Sequence, residues 1–288
     1  MNRCSTITLL ALSGAAVLAY GCAKNAATGR TQFDIMDRQQ EVAMGAQAAP
    51  ELTAGYGGEV PDQVLRDYVT RIGLKVAAGV EKQYKDIPWK FTLLNSDVIN
   101  AFALPGGHVF MSRALMERMT NEAQLAGVLG HECGHVTAEH IDQRIGRDYA
   151  LQIGAAVGGA VGGADYGEII STVVSQGGGL FSLKYGRAEE SEADALGLRY
   201  MTRAGYNPLG QLQVMQILRD ASKGSGGQPE WMSTHPLPQT RINEIQAALK
   251  GKYASTQGNP QYVLGEAEFA PMLRRLKALP PAPRPESN

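Results

Sequence analysis

Three residues with the side chains of a metal centre lie close together in the run Gly130-His131-Glu132-Cys133-Gly134-His135. On a helix, two histidines four residues apart project from nearly the same side, about 40° apart at ~100° per residue. Both imidazoles can then bind one zinc ion. Glu132 would lie beside the open coordination position, where its carboxylate can take a proton from a water. The pattern predicts a hydrolytic zinc centre; the alternative is a helix whose histidines only bond to neighbouring side chains.

The residues around this motif specify the helix that must hold it. Asn121 is placed to cap the helix, and Gln124 three residues later can bond back to the cap. An apolar stripe lies on the side away from the metal and consists of Leu125, Leu129, Cys133 and Val136. Cys133 lies about 160–200° from the two histidines, so we interpret it as a core thiol and not as a ligand.

A hydrolytic zinc ion usually has three protein ligands and one water, so a third ligand is needed. His140 is nearby in the chain, but it lies about 140° round from His135, which favours a structural, hydrogen-bonded role. A second predicted helix carries Glu190 and Asp194 on one face. Glu190 fits best as the third ligand, and Asp194 could orient a ligand imidazole. Glu192 is expected to point elsewhere; the alternative for this helix is a solvated acidic face.

The chain before the motif predicts two short strands joined at Pro-Gly-Gly, within residues 100–111. Pro105 is compatible with the edge of a sheet and not with its centre. An edge strand beside the zinc helix could bind an extended peptide through main-chain hydrogen bonds, at Asn100, Ala101 and Phe102. The alternative is a hairpin without a role in ligand binding.

His235 is the histidine on the C-terminal side without another assignment, and the prolines at 236 and 238 keep its segment out of a helix. As a donor near the metal it could stabilise the oxyanion of peptide hydrolysis, which is the role we favour. As a neutral ligand it could also fill the open position and hold an enzyme latent until the Gly-rich loop at 224–227 moves. The third alternative is a loop histidine with a surface hydrogen bond.

The N-terminus predicts a secreted protein. An apolar run from Ile7 to Tyr20 follows Arg3 and is too short to span a bilayer comfortably. It ends in Leu18-Ala19-Tyr20-Gly21-Cys22, which resembles a bacterial lipobox, and the implied mature protein begins at a lipidated Cys22. The following Ala23 resembles an outer-membrane sorting residue. The alternatives are an uncleaved anchor or a simple secreted protein.

Composition narrows the function further. The net charge of −1 argues against nucleic-acid binding. With Cys4 removed and Cys22 acylated, Cys133 would be alone, so no internal disulfide is possible.

Residues 149–164 are small, apolar and rich in glycine, and as a helix they would span only ~24 Å of a ~30 Å bilayer core. We expect this stretch to be a flap or a membrane-touching segment.

Four motifs occur in one order: His131-Glu-x-x-His135, then Glu190-x-x-x-Asp194, preceded by Asn100-Ala101…Pro105-Gly106-Gly107 and followed by Ser233-Thr234-His235-Pro236…Arg241. Together they resemble the gluzincin metallopeptidases that include the CAAX prenyl proteases, mitochondrial Oma-type peptidases and bacterial HtpX, BepA and LoiP proteins. The resemblance covers about residues 31–249, and the lipobox is similar to that of the LoiP-like lipoprotein branch. It implies that Glu190 is the third zinc ligand, that Glu132 is the general base, and that His235 and Arg241 lie next to the active site.

These observations predict an α+β, mainly helical, zincin-type metallopeptidase domain with a small edge-strand sheet beside the zinc helix. The expected parts are a signal peptide (1–21), a tether (22–36), the zinc domain (37–249) and a C-terminal extension (250–288) whose last part is disordered. We expect one Zn²⁺ per chain.

The expected function is an endopeptidase of the bacterial cell envelope, anchored in the outer membrane through Cys22 and facing the periplasm. It would cleave misfolded or unassembled envelope proteins, with a homo-oligomer or the outer-membrane assembly machinery as partner. The main alternative is a chaperone-like assembly factor with a mainly structural zinc site. A zinc amidase acting on the cell wall is a weaker one.

Overall fold

The computed structural model describes residues 22–147, 184–223 and 229–283. The predicted signal peptide, the glycine-rich stretch 149–164, the loop 224–227 and the last residues, 284–288, lie outside this part of the chain. Within the described ranges, no helix has both the length and the apolar character needed to cross a membrane.

Helices form most of the described fold, and the mainly helical α+β class predicted from the sequence is confirmed. The helices are α1 (Arg38–Gly55), α2 (Gln63–Ala77), α3 (Arg113–Met116), α4 (Glu122–Thr137), α5 (Arg187–Arg203), α6 (Leu209–Ala221), α7 (Trp231–Thr234), α8 (Gln239–Lys250) and α9 (Glu266–Lys277). Residues 140–147 are also helical. Single 3₁₀ turns lie at Lys82–Tyr84, Pro105–Gly107 and Ala254–Thr256.

Three strands form a small sheet beside α4. They are β3 (Lys90–Leu94), β4 (Ala101–Leu104) and β5 (His108–Ser112), in the order β3-β5-β4. β5 runs parallel to β3 and antiparallel to β4, so β4 is at an edge of this sheet. The turn between β4 and β5 is the predicted Pro-Gly-Gly, where Gly106 and Gly107 have φ of 74° and 93°, values that favour glycine.

Helix α4 carries the histidine motif through the centre of the core. The Asn121 side chain caps it by accepting a hydrogen bond from Gln124 N, at 2.9 Å, while the Gln124 side-chain oxygen accepts from Thr120 N. Every residue of α4 is buried, including the free thiol of Cys133. Helix α5 packs closely against α4 because Gly130 and Gly134 of α4 and Gly197 of α5 leave no side chains between the two backbones.

The segment 22–36, predicted as a tether, is instead bound to the domain, and we call it the N-terminal ribbon. Its strands β1 (Cys22–Lys24) and β2 (Thr31–Phe33) pair in antiparallel fashion. Asn25 Nδ2 donates to the carbonyl of Thr137 at 2.9 Å. The Asp142 carboxylate accepts from the backbone N–H groups of residues 35 and 36 at 3.0 and 2.9 Å. These buried polar groups obtain their partners only if the ribbon is folded against the C-terminal end of α4.

Part of the C-terminal extension also packs against the core. Phe269 and Leu276 of α9 are fully buried. The carbonyls of Gly265 and Leu264 accept from the N–H groups of Glu122 and Ala123, at 3.3 and 2.9 Å. The packed domain therefore continues well beyond residue 249, because the first turn of α4 needs these acceptors.

Gly197→Ala should destabilise the protein by about 1–2 kcal/mol. A Cβ at this position would lie 2.9 Å from His131 N and 3.1 Å from Gly130 C, both backbone atoms. Overpacking of this kind typically costs ~1–3 kcal/mol, more than the ~1 kcal/mol that alanine gains over glycine in a helix. Urea unfolding measures the effect. The matched control is Gly55→Ala in α1, where a Cβ meets nothing within 4 Å and stability should stay equal or rise. Equal stability of both variants would contradict the close packing of α4 on α5.

Candidate metal centre

Three buried side chains from α4 and α5 bring one potential ligand atom each to a common point. The Nε2 atoms of His131 and His135 are 3.1 Å apart. Glu190 Oε1 is 3.3 Å from His135 Nε2, and Glu190 Oε2 is 3.7 Å from His131 Nε2. Ligand atoms bound tetrahedrally to zinc at about 2.0–2.1 Å lie ~3.3 Å from each other. The spacing therefore fits a zinc ion held by two imidazoles and a carboxylate.

Buried polar atoms without partners mark the same point. Glu190 Oε1, Glu132 Oε2 and His235 Nε2 have no hydrogen-bond partner among the described residues. A buried carboxylate or imidazole without a partner is costly unless it coordinates a metal. Together with His131 and His135, Glu190 and His235 form a group of four donors whose ligand atoms all lie within 4.8 Å of one another.

Asp194 and Arg241 support this group from the side. Asp194 Oδ1 lies 2.9 Å from His131 Nδ1, so the ring donates through Nδ1–H and leaves Nε2 free for a metal. Arg241, fully buried, donates from Nε and Nη2 to the Asp194 carboxylate at 2.7 and 2.8 Å, and its Nη1 pairs with Glu190. Burial alone would raise the pKa of Asp194, but the Arg241 guanidinium and the bond from His131 lower it to about 2.

Glu132 lies beside the donors without belonging to the group. Its side chain is fully buried, and its Oε1 accepts from Trp231 Nε1 at 3.4 Å. Burial and the neighbouring Glu190 raise the pKa of Glu132 to about 7, although His131 and Arg241 act in the opposite direction. A carboxyl group with a pKa near neutrality can both accept a proton and return it.

His235 is buried and faces the metal-binding atoms, so it is not a surface loop residue. Its ring stacks on Trp231 at 4.7 Å, and its Nε2 lies 3.7 Å from Glu132 Oε1. His235 Nδ1 lies 2.8 Å from Thr234 Oγ1, which can donate or accept, and 3.2 Å from the carbonyl of Trp231, which can only accept, so a proton on Nδ1 satisfies both contacts. Nε2 then carries a lone pair, which suits a metal ligand better than an oxyanion donor.

Of the predicted peptide-binding residues, Ala101 and Phe102 lie in the edge strand β4 and Asn100 directly precedes it, and their side chains are taken up by the fold. Asn100 Nδ2 donates to Glu230 and to Tyr56 at 2.9 and 3.1 Å. The ring of Phe102 stacks on Phe110 at 4.8 Å and lies 5.3 Å from Tyr56. The side chains of Asn100, Ala101 and Phe102 are buried, so only the main chain of β4 remains for a peptide.

Several contacts of the site could not be found from residue spacing. Tyr185 stacks on His135, with ring centroids 3.9 Å apart. Gln211 Nε2 donates to Asp194 at 3.0 Å. Trp231 contacts both Glu132 and His235, and its only signal in the sequence is a position four residues before the histidine. His140, expected to face the core, is fully buried and lies 2.9 Å from His135, Nδ1 to Nδ1.

Comparison with known proteins places these residues in a family context. Residues 64–249 match the model of peptidase family M48. The chain is 31% identical over 217 residues to the beta-barrel assembly-enhancing protease of Yersinia pestis, covering 71% of this chain and 43% of that protein. The protein of the same name from Escherichia coli (strain K12) is 29% identical over 242 residues, covering 80% and 47%. The match thus spans less than half the length of these two relatives.

A mitochondrial relative is covered more fully. The mitochondrial metalloendopeptidase OMA1 of Schizosaccharomyces pombe is 28% identical over 257 residues, covering 87% of this chain and 72% of that protein. The family model spans more than half of the chain. It includes all four metal-facing donors, and it also includes Glu132, Asp194 and Arg241. The chain therefore belongs to peptidase family M48 and is a zinc-dependent metallopeptidase.

Proposed function

We propose that this protein is an endopeptidase of the bacterial cell envelope that cleaves internal bonds of misfolded or unassembled envelope proteins. The observation that carries the catalytic part is the buried Glu132 carboxylate beside a group of zinc-binding donors. The substrate class is supported by the lipobox-like sequence at Cys22 and by two bacterial relatives named for the assembly of β-barrels.

The mechanism assigns His131, His135 and Glu190 to hold zinc. When bound, zinc would polarise the scissile carbonyl and lower the pKa of a water to ~7. Glu132 accepts a proton from the attacking water at its carboxylate and returns it to the leaving amine nitrogen. Asp194 keeps the His131 ring in the orientation that binds metal, and Arg241 fixes Asp194 and Glu190 together.

An extended substrate is proposed to bind along the outer edge of β4. Residue 100 uses its backbone toward β5, where its carbonyl accepts from Ser112 N at 2.9 Å. The carbonyl of Ile99 accepts from Trp231 N at 3.1 Å, so the segment before His235 covers the start of the outer edge. Main-chain pairing there would make binding tolerant of sequence, as clearance of unfolded proteins requires.

The alternative function is a chaperone-like assembly factor with a mainly structural zinc site. His235 gives this alternative a specific basis, because structural sites are closed by four protein ligands. We favour a catalytic site that His235 holds latent: it lies on the short segment after α7, and Glu132 has a clear use only if the fourth position opens. We propose that a second copy of the protein, in a homo-oligomer, or the outer-membrane assembly machinery is the partner that favours opening of the fourth coordination position.

Glu132→Gln should abolish hydrolysis of unfolded casein, a loss of at least ~10²–10⁴-fold, while about one zinc per chain remains bound. Glu190→Ala should lose both activity and zinc, because it removes a ligand. Metal analysis of both purified variants, with a chelator-treated wild type beside them, separates the two roles. Loss of zinc from Glu132→Gln in proportion to activity would contradict a proton-transfer role. Full zinc content with no cleavage by either the wild type or His235→Ala would favour the assembly factor.

His235→Ala should increase basal casein cleavage several-fold and leave zinc bound, because three ligands remain and the fourth position opens. The measurement is turnover per bound zinc. Trp231→Phe is a useful companion, since it keeps an aromatic ring against His235 and removes the indole N–H bond to Glu132. Loss of turnover in His235→Ala with zinc intact would reject the latch and support the oxyanion donor.

Lipidation at Cys22 is proposed from the lipobox-like sequence. Wild-type cells labelled with palmitate should yield a labelled protein in the membrane fraction, and Cys22→Ser should yield neither the label nor that fractionation. Cys133→Ser is the matched control, since that thiol is buried in α4 and should not affect labelling. A soluble, unlabelled wild type would remove the lipoprotein assignment.

A further inference from the structure

We propose that His140, Glu192 and Arg30 form a positioning chain for His135, separate from the Asp194–Arg241 pair that holds His131. The inference deepens the proposed function, because it rests on His135 being a zinc ligand. It assigns a role to residues outside the metal group, and one of them belongs to the N-terminal ribbon.

The contacts form a continuous line from the core to the surface. His135 Nδ1 lies 2.9 Å from His140 Nδ1, and His140 Nε2 lies 3.1 Å from Glu192 Oε2. Arg30 Nη2 donates to the same Glu192 oxygen. The two rings are buried, the glutamate is 21% exposed and the arginine is 49% exposed. The two outer residues, Glu192 and Arg30, can therefore be substituted without removing a fully buried side chain.

If His135 binds zinc through Nε2, its proton lies on Nδ1, and one arrangement of protons then fits the contacts outward from it. A carboxylate paired with the Arg30 guanidinium can only accept, so a His140 ring that carries one proton carries it on Nε2. His140 Nδ1 then accepts, and His135 donates through its own Nδ1–H. His135 Nε2 keeps its lone pair and points at His131 Nε2 and Glu190, where a metal would bind. The chain thus fixes the tautomer and the orientation of the ring, as a carboxylate does for other zinc ligands.

A break in the helix brings His140 to this position. Helix α4 ends at Thr137, and Glu139 has φ of 56°, a left-handed conformation that is uncommon for a residue with a side chain. The Glu139 carboxylate accepts from Arg38 at 3.0 Å and from Asn25 at 3.3 Å. The ribbon and the residues just after it therefore stabilise the turn as well as the outer end of the positioning chain.

Zinc affinity of the apo-protein, measured against a competing chelator with no substrate present, tests the proposal. Glu192→Ala should weaken zinc binding about 10-fold and His140→Leu ~10–100-fold, the range found for residues that orient ligands. Arg30→Ala should have a smaller effect. The matched control is Glu244→Ala on α8. Glu244 is an exposed glutamate that accepts a hydrogen bond from Ser191, the neighbour of Glu192 on α5, and its loss should not change the zinc affinity.

Two further variants distinguish positioning from a general loss of structure. His140→Gln keeps an acceptor for His135 Nδ1–H, so it should bind zinc more tightly than His140→Leu. The double variant His140→Leu/Glu192→Ala should bind no more weakly than His140→Leu alone, because the glutamate acts through the histidine. Melting of each apo-protein is recorded with chelator present, and the affinity losses should not follow the melting temperature.

Unchanged affinity in Glu192→Ala and His140→Leu, or losses that add in the double variant, would overturn the positioning chain. Failure of the proposed function gives a different result: the wild type binds zinc tightly and the variants show the predicted order of affinities, but neither the wild type nor His235→Ala cleaves peptide. That outcome would support the chain and reject only the peptidase mechanism.

Discussion

A single buried guanidinium holds the centre of this protein together. Arg241 has no exposed surface and contacts Asp194, Glu190 and the carbonyl of Pro236, at 2.8 Å for the last. With zinc bound, the positive charges of the metal and Arg241 would balance the negative charges of the carboxylates of Glu132, Glu190 and Asp194. Without Arg241 one carboxylate would stay uncompensated in the core, a change that typically costs ~3–5 kcal/mol. The same side chain therefore sets the position of a ligand, its orienting partner and the backbone that follows His235.

Close packing of two helices gives this arrangement its precision. Because glycines line the contact between α4 and α5, the two backbones lie close together and the histidines of one helix reach the acidic residues of the other. These side chains are buried and already ordered in the folded protein, so little further conformational entropy would oppose metal binding. The C-terminal carbonyls of Leu264 and Gly265 complete the first turn of α4, and the ribbon fixes its last turn. Both ends of the catalytic helix are thus held by parts of the chain far from it in sequence.

The sequence predicted the features that have local signals. The spacing of His131, Glu132 and His135, the Asn121 cap and the Pro-Gly-Gly turn each depend on neighbouring residues, and the structure has the cap and the turn as expected. Features that depend on contacts across the chain were missed. The angle predicted for His140 assumed a continuous helix, which the left-handed Glu139 interrupts.

The ribbon and α9 were missed for a related reason. Strands of three residues carry too little periodicity to be recognised, and the buried partners of Asn25 and Asp142 lie more than a hundred residues away. Glu192 was expected to point elsewhere, and it does point away from the zinc-binding atoms. Glu192 is connected to His135 through the ring of His140, and the sequence did not predict the position of that ring.

The folded ribbon has a consequence for the reach of the enzyme. Fifteen residues of extended tether would let a membrane-attached domain sample a shell roughly 50 Å deep. Folded as a hairpin against the end of α4, the same residues leave almost no slack. In an enzyme anchored at Cys22, the folded ribbon would hold the cleft at a short and nearly fixed distance from the lipid. Its choice of polypeptide would then depend on distance from the membrane as well as on sequence, and segments close to the bilayer would be cut more readily than the same segments far from it.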